Sequence, residues 1–156
     1  MTAAPLLHAS LAVDDLDGAI AFFERALGFA TQLRADDLTD EVARLTRRDG
    51  LTVRLAQMSR AGDGCRLELI EFNDRDAVPA AGAGPVPLAH ICFAVADLEA
   101  TLADVRAAGA EPLGEIVTFP EGRCVYVRAP GAAVIEFEEI PDAVSANQTQ
   151  TPQESA

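Results

Sequence analysis

Two phrases of this chain, PLLHASLAV from Pro5 and PLAHICFAV from Pro87, repeat at a spacing of 82 residues. The repeat extends well past the phrase: HASLAVDDLDGAIAFFERA aligns without gaps on HICFAVADLEATLADVRAA, matching His8 with His90, Val13 with Val95, Asp15 with Asp97 and Leu16 with Leu98. A duplication of this length restricts the fold to two copies of one supersecondary unit that complete each other's core. Each copy opens with the alternation of a strand, followed by an Asp whose carboxylate can accept the free N–H groups at the start of a helix. Apolar residues then recur at helical spacing, Leu16, Ile20 and Phe23 in one copy and Leu98, Leu102 and Val105 in the other. Gly28 and Gly109 are placed to end these helices.

Strand-like patterns come next. In the first half they cover 29–34, 51–58 and 65–72, with DEVARLT as a short helix between the first two. In the second half they cover 111–119, 123–128 and 133–139. The unit is therefore strand, helix and three strands, written twice: an α+β fold of two tandem βαβββ modules over 6–73 and 88–140. Between them, 74–87 is a linker rich in Pro, Gly and Ala, and 141–156 reads as a disordered tail.

Composition narrows the function. The formal net charge of −13 argues against a nucleic-acid partner, since phosphate binding needs clustered basic residues. No apolar run is long enough to span a bilayer and no secretory leader opens the sequence, so the expectation is a cytoplasmic protein without a membrane partner. Three cysteines, Cys65, Cys92 and Cys124, are an odd number at unrelated spacings and read as reduced, mostly buried side chains.

Strand parity sorts the side chains, because successive residues point to opposite faces. Leu7, Leu11 and Val13 share one face of the first strand, and His8, Ser10 and Ala12 the other. In the second copy, Ile91, Phe93 and Val95 oppose His90, Cys92 and Ala94. The bulky face must lie under the helix, which leaves both histidines, the only two in the chain, on the roomier side. The closing strands RLELIEF and VIEFEE put Glu68 and Glu136 at matching places on that side, flanked by Ile70 and Phe72 in the first copy. Each half thus offers one imidazole and one carboxylate on the face away from its helix. If the sheets share a cavity, His8, Glu68, His90 and Glu136 form a nitrogen and oxygen set suited to Zn, Ni, Co, Mn or Fe(II). A preserved duplication without a metal is the competing reading. Arg54, Arg66 and Arg123 are possible anchors for an anionic substrate, against the alternative of solvated surface cations.

These residues carry a resemblance. HASLAVDDLDGAIAFFERALGF, LELIEF, HICFAVADLEATLADVRAAGAE and VYVRAPGAAVIEFEE resemble the vicinal oxygen chelate superfamily, which includes glyoxalase I, methylmalonyl-CoA epimerase, extradiol dioxygenases and fosfomycin and bleomycin resistance proteins. The resemblance implies curved mixed sheets around a metal-binding cleft, with His8, Glu68, His90 and Glu136 as ligands of a divalent ion. It implies a small-molecule isomerase or lyase of glyoxalase or epimerase type. Such an enzyme moves a proton beside a carbonyl, through a metal-stabilised enediolate, on a substrate with vicinal oxygens. Glu136 is then the proton-transferring group, and Ile70, Phe72 and Arg123 are the substrate-binding residues. An Fe(II)-dependent dioxygenase and a protein that sequesters an antibiotic or metabolite are the alternatives, and a homodimer is the implied assembly. Glu71 and Glu139 share the helix-facing parity and read as strand-end charges. The chain departs from its relatives at the turn before the last strand, where Ala129-Pro130-Gly131-Ala132 replaces Asp-Pro-Asp-Gly.

Overall fold

The computed structural model describes residues 6–46, 49–73, 90–119 and 122–140; the linker and the tail expected from the sequence lie outside the described residues. Strand β1 (His8–Val13) leads into helix α1 (Leu16–Leu27), then β2 (Ala30–Ala35), helix α2 (Thr39–Thr46), β3 (Val53–Ser59) and β4 (Arg66–Phe72). The second module runs β5 (Ile91–Val95), α3 (Leu98–Ala107), β6 (Glu111–Pro112), β7 (Val117–Thr118), β8 (Arg123–Arg128) and β9 (Val134–Glu139). Among the described residues no helix is long and apolar enough to cross a membrane.

Asp15 and Asp97 cap their helices as expected, accepting the N–H groups of Gly18 and Ala100 at 3.0 and 2.8 Å. Gly28 ends α1 with φ 69°, whereas α3 ends at Ala108 and Gly109 takes the left-handed position just beyond. The strand expected over 111–119 is broken into β6 and β7. Pro112 lacks a donor, Leu113 N–H still reaches Tyr126 O on β8 at 2.9 Å, and the ladder lapses from Gly114, which has no side chain to pack, until Val117.

The first sheet has the order β1-β4-β3-β2 and the second β5-β9-β8-β6, with β7 also on β8. In both, the module's first strand runs parallel to its last and forms one edge. Registers agree between the copies: Ser10 opposes Glu68 and Cys92 opposes Glu136 on these parallel pairs. On the antiparallel side, Gln57 opposes Glu68 and Tyr126 opposes Glu136.

One core serves both modules. Leu11, Val13, Leu67 and Leu69 of the first sheet join Phe22 and Phe23 of α1, Leu102 and Val105 of α3, and Val125, Ile135 and Phe137 of the second sheet. All belong to helix-side faces, which confirms the parity reading. Two contacts lock the seam. The Pro130–Ala132 turn presses on the start of α1, where Asp14 N–H donates to Gly131 O at 3.0 Å. At the other end Phe29 meets Phe93 edge-on, with ring centroids 6.0 Å apart. A smaller cluster of Val42, Leu51 and Val53 seats α2 over the far end of the histidine face of the first sheet.

Candidate functional site

The structure sets each histidine against the carboxylate of its own module. His8 Nε2 lies 3.9 Å from Glu68 Oε1, and His90 Nε2 lies 3.2 Å from Glu136 Oε2. Glu68 is held from two further sides, by the Ser10 hydroxyl on Oε1 and by Gln57 Nε2 on Oε2 at 3.0 Å. In the second module Cys92 stands where Ser10 does, and Tyr126 where Gln57 does. The Tyr126 ring lies edge-on to His90, with centroids 5.0 Å apart. Although the residue is exposed overall, desolvation at its sulfur, reinforced by the charges of Glu136 and Glu138, pushes the Cys92 thiol up to about 12. Burial and Glu136 also raise Cys124 and Tyr126, so all three remain protonated around Glu136 at neutral pH. The sequence reading puts Ser10 and Cys92 on the histidine face, but Gln57 and Tyr126 are absent from it. The signal for them was available, since TVRLAQ and EGRCVY align with Arg54 on Arg123 and Gln57 on Tyr126.

The pairs suit a divalent cation. Two ligands each about 2.0–2.2 Å from one ion stand about 3 Å apart when they coordinate at right angles; the His90–Glu136 pair at 3.2 Å is near that spacing, and the His8–Glu68 pair at 3.9 Å is wider. His8 Nδ1 is buried without a hydrogen-bond partner, so no bond at that nitrogen ties the ring to another role. The four groups do not, however, gather within one chain: among the described residues, no three of them bring ligand atoms within 4.8 Å of one another. Each module therefore provides a two-ligand half-site. The residues fit the ion as two pairs rather than as one finished set.

Three acidic groups do lie that close, Asp97, Glu99 and Glu139. They surround a guanidinium. Arg123 donates to both oxygens of Glu99 at 2.7 and 2.8 Å and to Glu139 at 2.8 Å. Glu139 also accepts the Leu98 N–H at the start of α3, 3.0 Å away. Arg123, expected at the substrate, sits on the helix side of β8 with Val125 and Val127, on the face opposite Tyr126 and Glu136, and its donors are engaged by Glu99 and Glu139. Arg54 occupies the matching place in the first module, between Asp17 and Glu71, and Glu71 accepts the Leu16 N–H at 2.7 Å. Glu71 and Glu139 are thus helix-start clamps rather than loose strand-end charges.

Ile70 and Phe72 share the face of Glu68, as the parity requires, and both pack partly against the α2 cluster. The cysteines depart from expectation. All three are free, but none is buried: Cys92 is exposed, and Cys65 and Cys124 are intermediate. Cys92 and Cys124 lie on the open face that carries Glu136, and Cys65 immediately precedes β4.

Two matched α+β units, each with a mixed sheet whose first strand runs parallel to its last, define a vicinal oxygen chelate fold. The chain belongs to the Glyoxalase/Bleomycin resistance protein/Dioxygenase superfamily, whose family model matches residues 7–126. A glyoxalase family protein from Bacillus cereus is 26% identical with a TM-score of 0.70, over 89% of this chain and 95% of that one. An antibiotic binding protein from a Streptomyces species is 18% identical with a TM-score of 0.63, over 90% of this chain and 98% of that one. A variant of a fosfomycin resistance protein from Listeria monocytogenes, solved with Mn(II) and a dihydroxypropylphosphonic acid, is 18% identical with a TM-score of 0.59, over 90% and 94%. The last two likenesses concern the fold alone. No protein of curated function matches the chain by sequence.

Proposed function

We propose that this protein is a metal-dependent isomerase or lyase that moves a proton beside the carbonyl of a small substrate with vicinal oxygens. The observation that supports it is the matched pair of half-sites, His8 with Glu68 and His90 with Glu136, at equivalent register in both sheets. Two imidazoles and two carboxylates would hold Mn, Fe, Co, Ni or Zn. When bound, the ion supplies Lewis-acid polarisation of the carbonyl. Because each module offers only two ligands, a homodimer is the natural way to finish the set, with the first module's pair joined by the second module's pair of another copy.

Glu136 takes and returns the proton. Its neighbours Cys92, Cys124 and Tyr126 are all neutral, so none competes with it as a base. Glu68, already accepting from Ser10 and Gln57, is the more firmly held carboxylate and serves as ligand only. Ile70 and Phe72 give the substrate an apolar wall, which helps exclude water from the reacting carbon.

The test uses metal content and mixing. Purified protein equilibrated with Mn(II) should bind one ion per chain, and His8→Ala and His90→Ala should each lose it. If sites are shared across a dimer, mixing the two variants after unfolding restores binding. Half the dimers are then heterodimers, and each has one intact site, so about one quarter of the wild-type capacity returns. No restoration would refute the shared site. Exchange of the C–H groups of hydroxyacetone in deuterated water, lost in Glu136→Gln, tests the chemistry. Tight ligand binding indifferent to chelator, without exchange, would instead make the protein a sequestering one.

A further inference from the structure

A cavity of about 740 Å³ lies at the seam between the modules, and none of His8, Glu68, His90 or Glu136 is in its wall. It opens between β1 and β5, the edge strands of the two sheets, and is closed below by the loop that precedes β4. We infer that this seam is a second small-molecule site, built for a small monoanion with an apolar side, such as an aryl carboxylate or sulfonate.

The walls argue for the apolar side. Phe29 and Phe93 come from different modules, and the Arg60 guanidinium lies 5.2 Å from the centroid of one and 5.0 Å from the other. With Leu67 and Ile91 they give the trough one apolar side; Arg60 covers a face of each ring and Phe137 stacks on Phe93, so a ligand meets the ring edges. The size falls within the usual range of about 300–1,000 Å³ for small-molecule sites. Arg60 itself is not the anion's partner, because Asp63 takes its Nε and a terminal nitrogen at 3.2 and 3.1 Å, and Leu27 O accepts a further N–H at 3.5 Å. That bond also neutralises Asp63, the acid in the wall, which would otherwise repel an anion.

Arg66 is the partner. It stands in the cavity wall, and its recorded contact is to a neutral amide, the Gln57 Oε1 at 3.2 Å. In a chain of net charge −13, where Arg34, Arg54, Arg60 and Arg123 are each tied to carboxylates, a guanidinium with an uncharged partner beside this trough offers its charge to a ligand. The inference goes beyond the proton-transfer reading and does not depend on the metal.

The probe is 8-anilinonaphthalene-1-sulfonate, with N-phenyl-1-naphthylamine as its uncharged counterpart. The chain has no Trp and one Tyr, so probe emission is read over a weak background. Saturable binding of one sulfonate probe per chain is expected, with Kd on the order of 10 μM. Arg66→Gln should weaken the sulfonate about 5–10-fold and leave the neutral probe unchanged. Ala94→Phe and Ala61→Phe fill the cavity from opposite rims at exposed positions, and each should abolish binding of both probes. Leu33→Glu, on the exposed histidine side of the first sheet, should change neither. Absence of saturable binding, equal weakening of both probes by Arg66→Gln, binding that survives both filling variants, or loss in Leu33→Glu would each overturn the assignment. Chelation of bound metal should leave the probe affinity unaltered, which separates this site from the half-sites.

Discussion

Gly131 carries the contact that holds one module to the other, and replacing it with Ala tests that contact. Its φ is 77°, and a Cβ built there would stand 2.6 Å from Asp15 O and 2.9 Å from the Ala19 Cβ. Two costs follow. Left-handed backbone with a Cβ costs about 1–2 kcal/mol. Forcing the turn off the rigid first turn of α1 costs about 1–3 kcal/mol more, as overpacking does elsewhere. Gly28→Ala is the control, because its φ is 69° and a Cβ there meets nothing within 4 Å. Both changes stiffen the unfolded chain alike, so that contribution cancels in the comparison. Net of that contribution, Gly131→Ala should lose roughly 1.5–4 kcal/mol and Gly28→Ala only about 0.5–1 kcal/mol. At roughly 2–4 °C per kcal/mol for a domain of this size, the Gly131 variant should melt several degrees below the Gly28 variant. Thermal and urea unfolding, followed by far-ultraviolet circular dichroism, read the difference. If the two variants lose equal stability, the turn does not bear on α1, and the seam as described is wrong.

Ala132 is the next residue and has φ 60° without being glycine. Ala132→Gly should raise stability by about 0.5–1 kcal/mol, the relieved left-handed cost minus the added freedom of the unfolded chain, seen as an increase in Tm. The Arg123 clamp should appear in the acid limb of stability. Its hydrogen bonds hold the Glu99 carboxyl below its ordinary 4.5, and those of Arg54 and Arg34 hold Asp17 below 3.8. Depressed carboxyl values stabilise the fold above the unfolded values and lose that contribution as pH falls below them. Arg123→Gln should accordingly lower Tm at pH 7, and the gap from the wild type should narrow as the pH is taken from 5 to 3. A gap constant across that range would show that Arg123 acts by packing alone.

The parts of this fold legible in the sequence are those that duplication and parity fix. Cap residues, helix-facing strand residues and the matched histidines and glutamates obey local rules, so each copy could be read against the other. The broken strand over Glu111–Thr118 was not legible, because its apolar alternation continues through Pro112 and Gly114, which withhold a donor and a side chain from the ladder. The exposure of Cys92 depends on what stands across from β5, and its own strand pattern carries no record of that. The place of Arg123 was not legible for another reason. An arginine at a strand start is equally compatible with a ligand and with an internal acid, and only the arrival of Glu99 and Glu139 from other elements decides.

That clamp explains why the duplicated halves could diverge at their half-sites yet keep one geometry. In each module an arginine from the third or equivalent strand joins the last strand's terminal glutamate to an acid in the first turn of the helix: Arg54 to Glu71 and Asp17, Arg123 to Glu139 and Glu99. The glutamate also takes a helix N–H, so strand, strand and helix are tied at one point. Side chains alternate along β4 and β9, and the clamp glutamates lie three residues beyond Glu68 and Glu136. Fixing the clamp on the helix side fixes the carboxylate on the other side, whatever its neighbours are. Ser10 and Gln57 in one half and Cys92 and Tyr126 in the other are then free to differ. The two carboxylates consequently hold equivalent positions in unlike surroundings, one bonded to a hydroxyl and an amide and the other set among thiols and a phenol. On the proposed function, such a division would let one carboxylate serve as a fixed ligand while the other exchanges a proton.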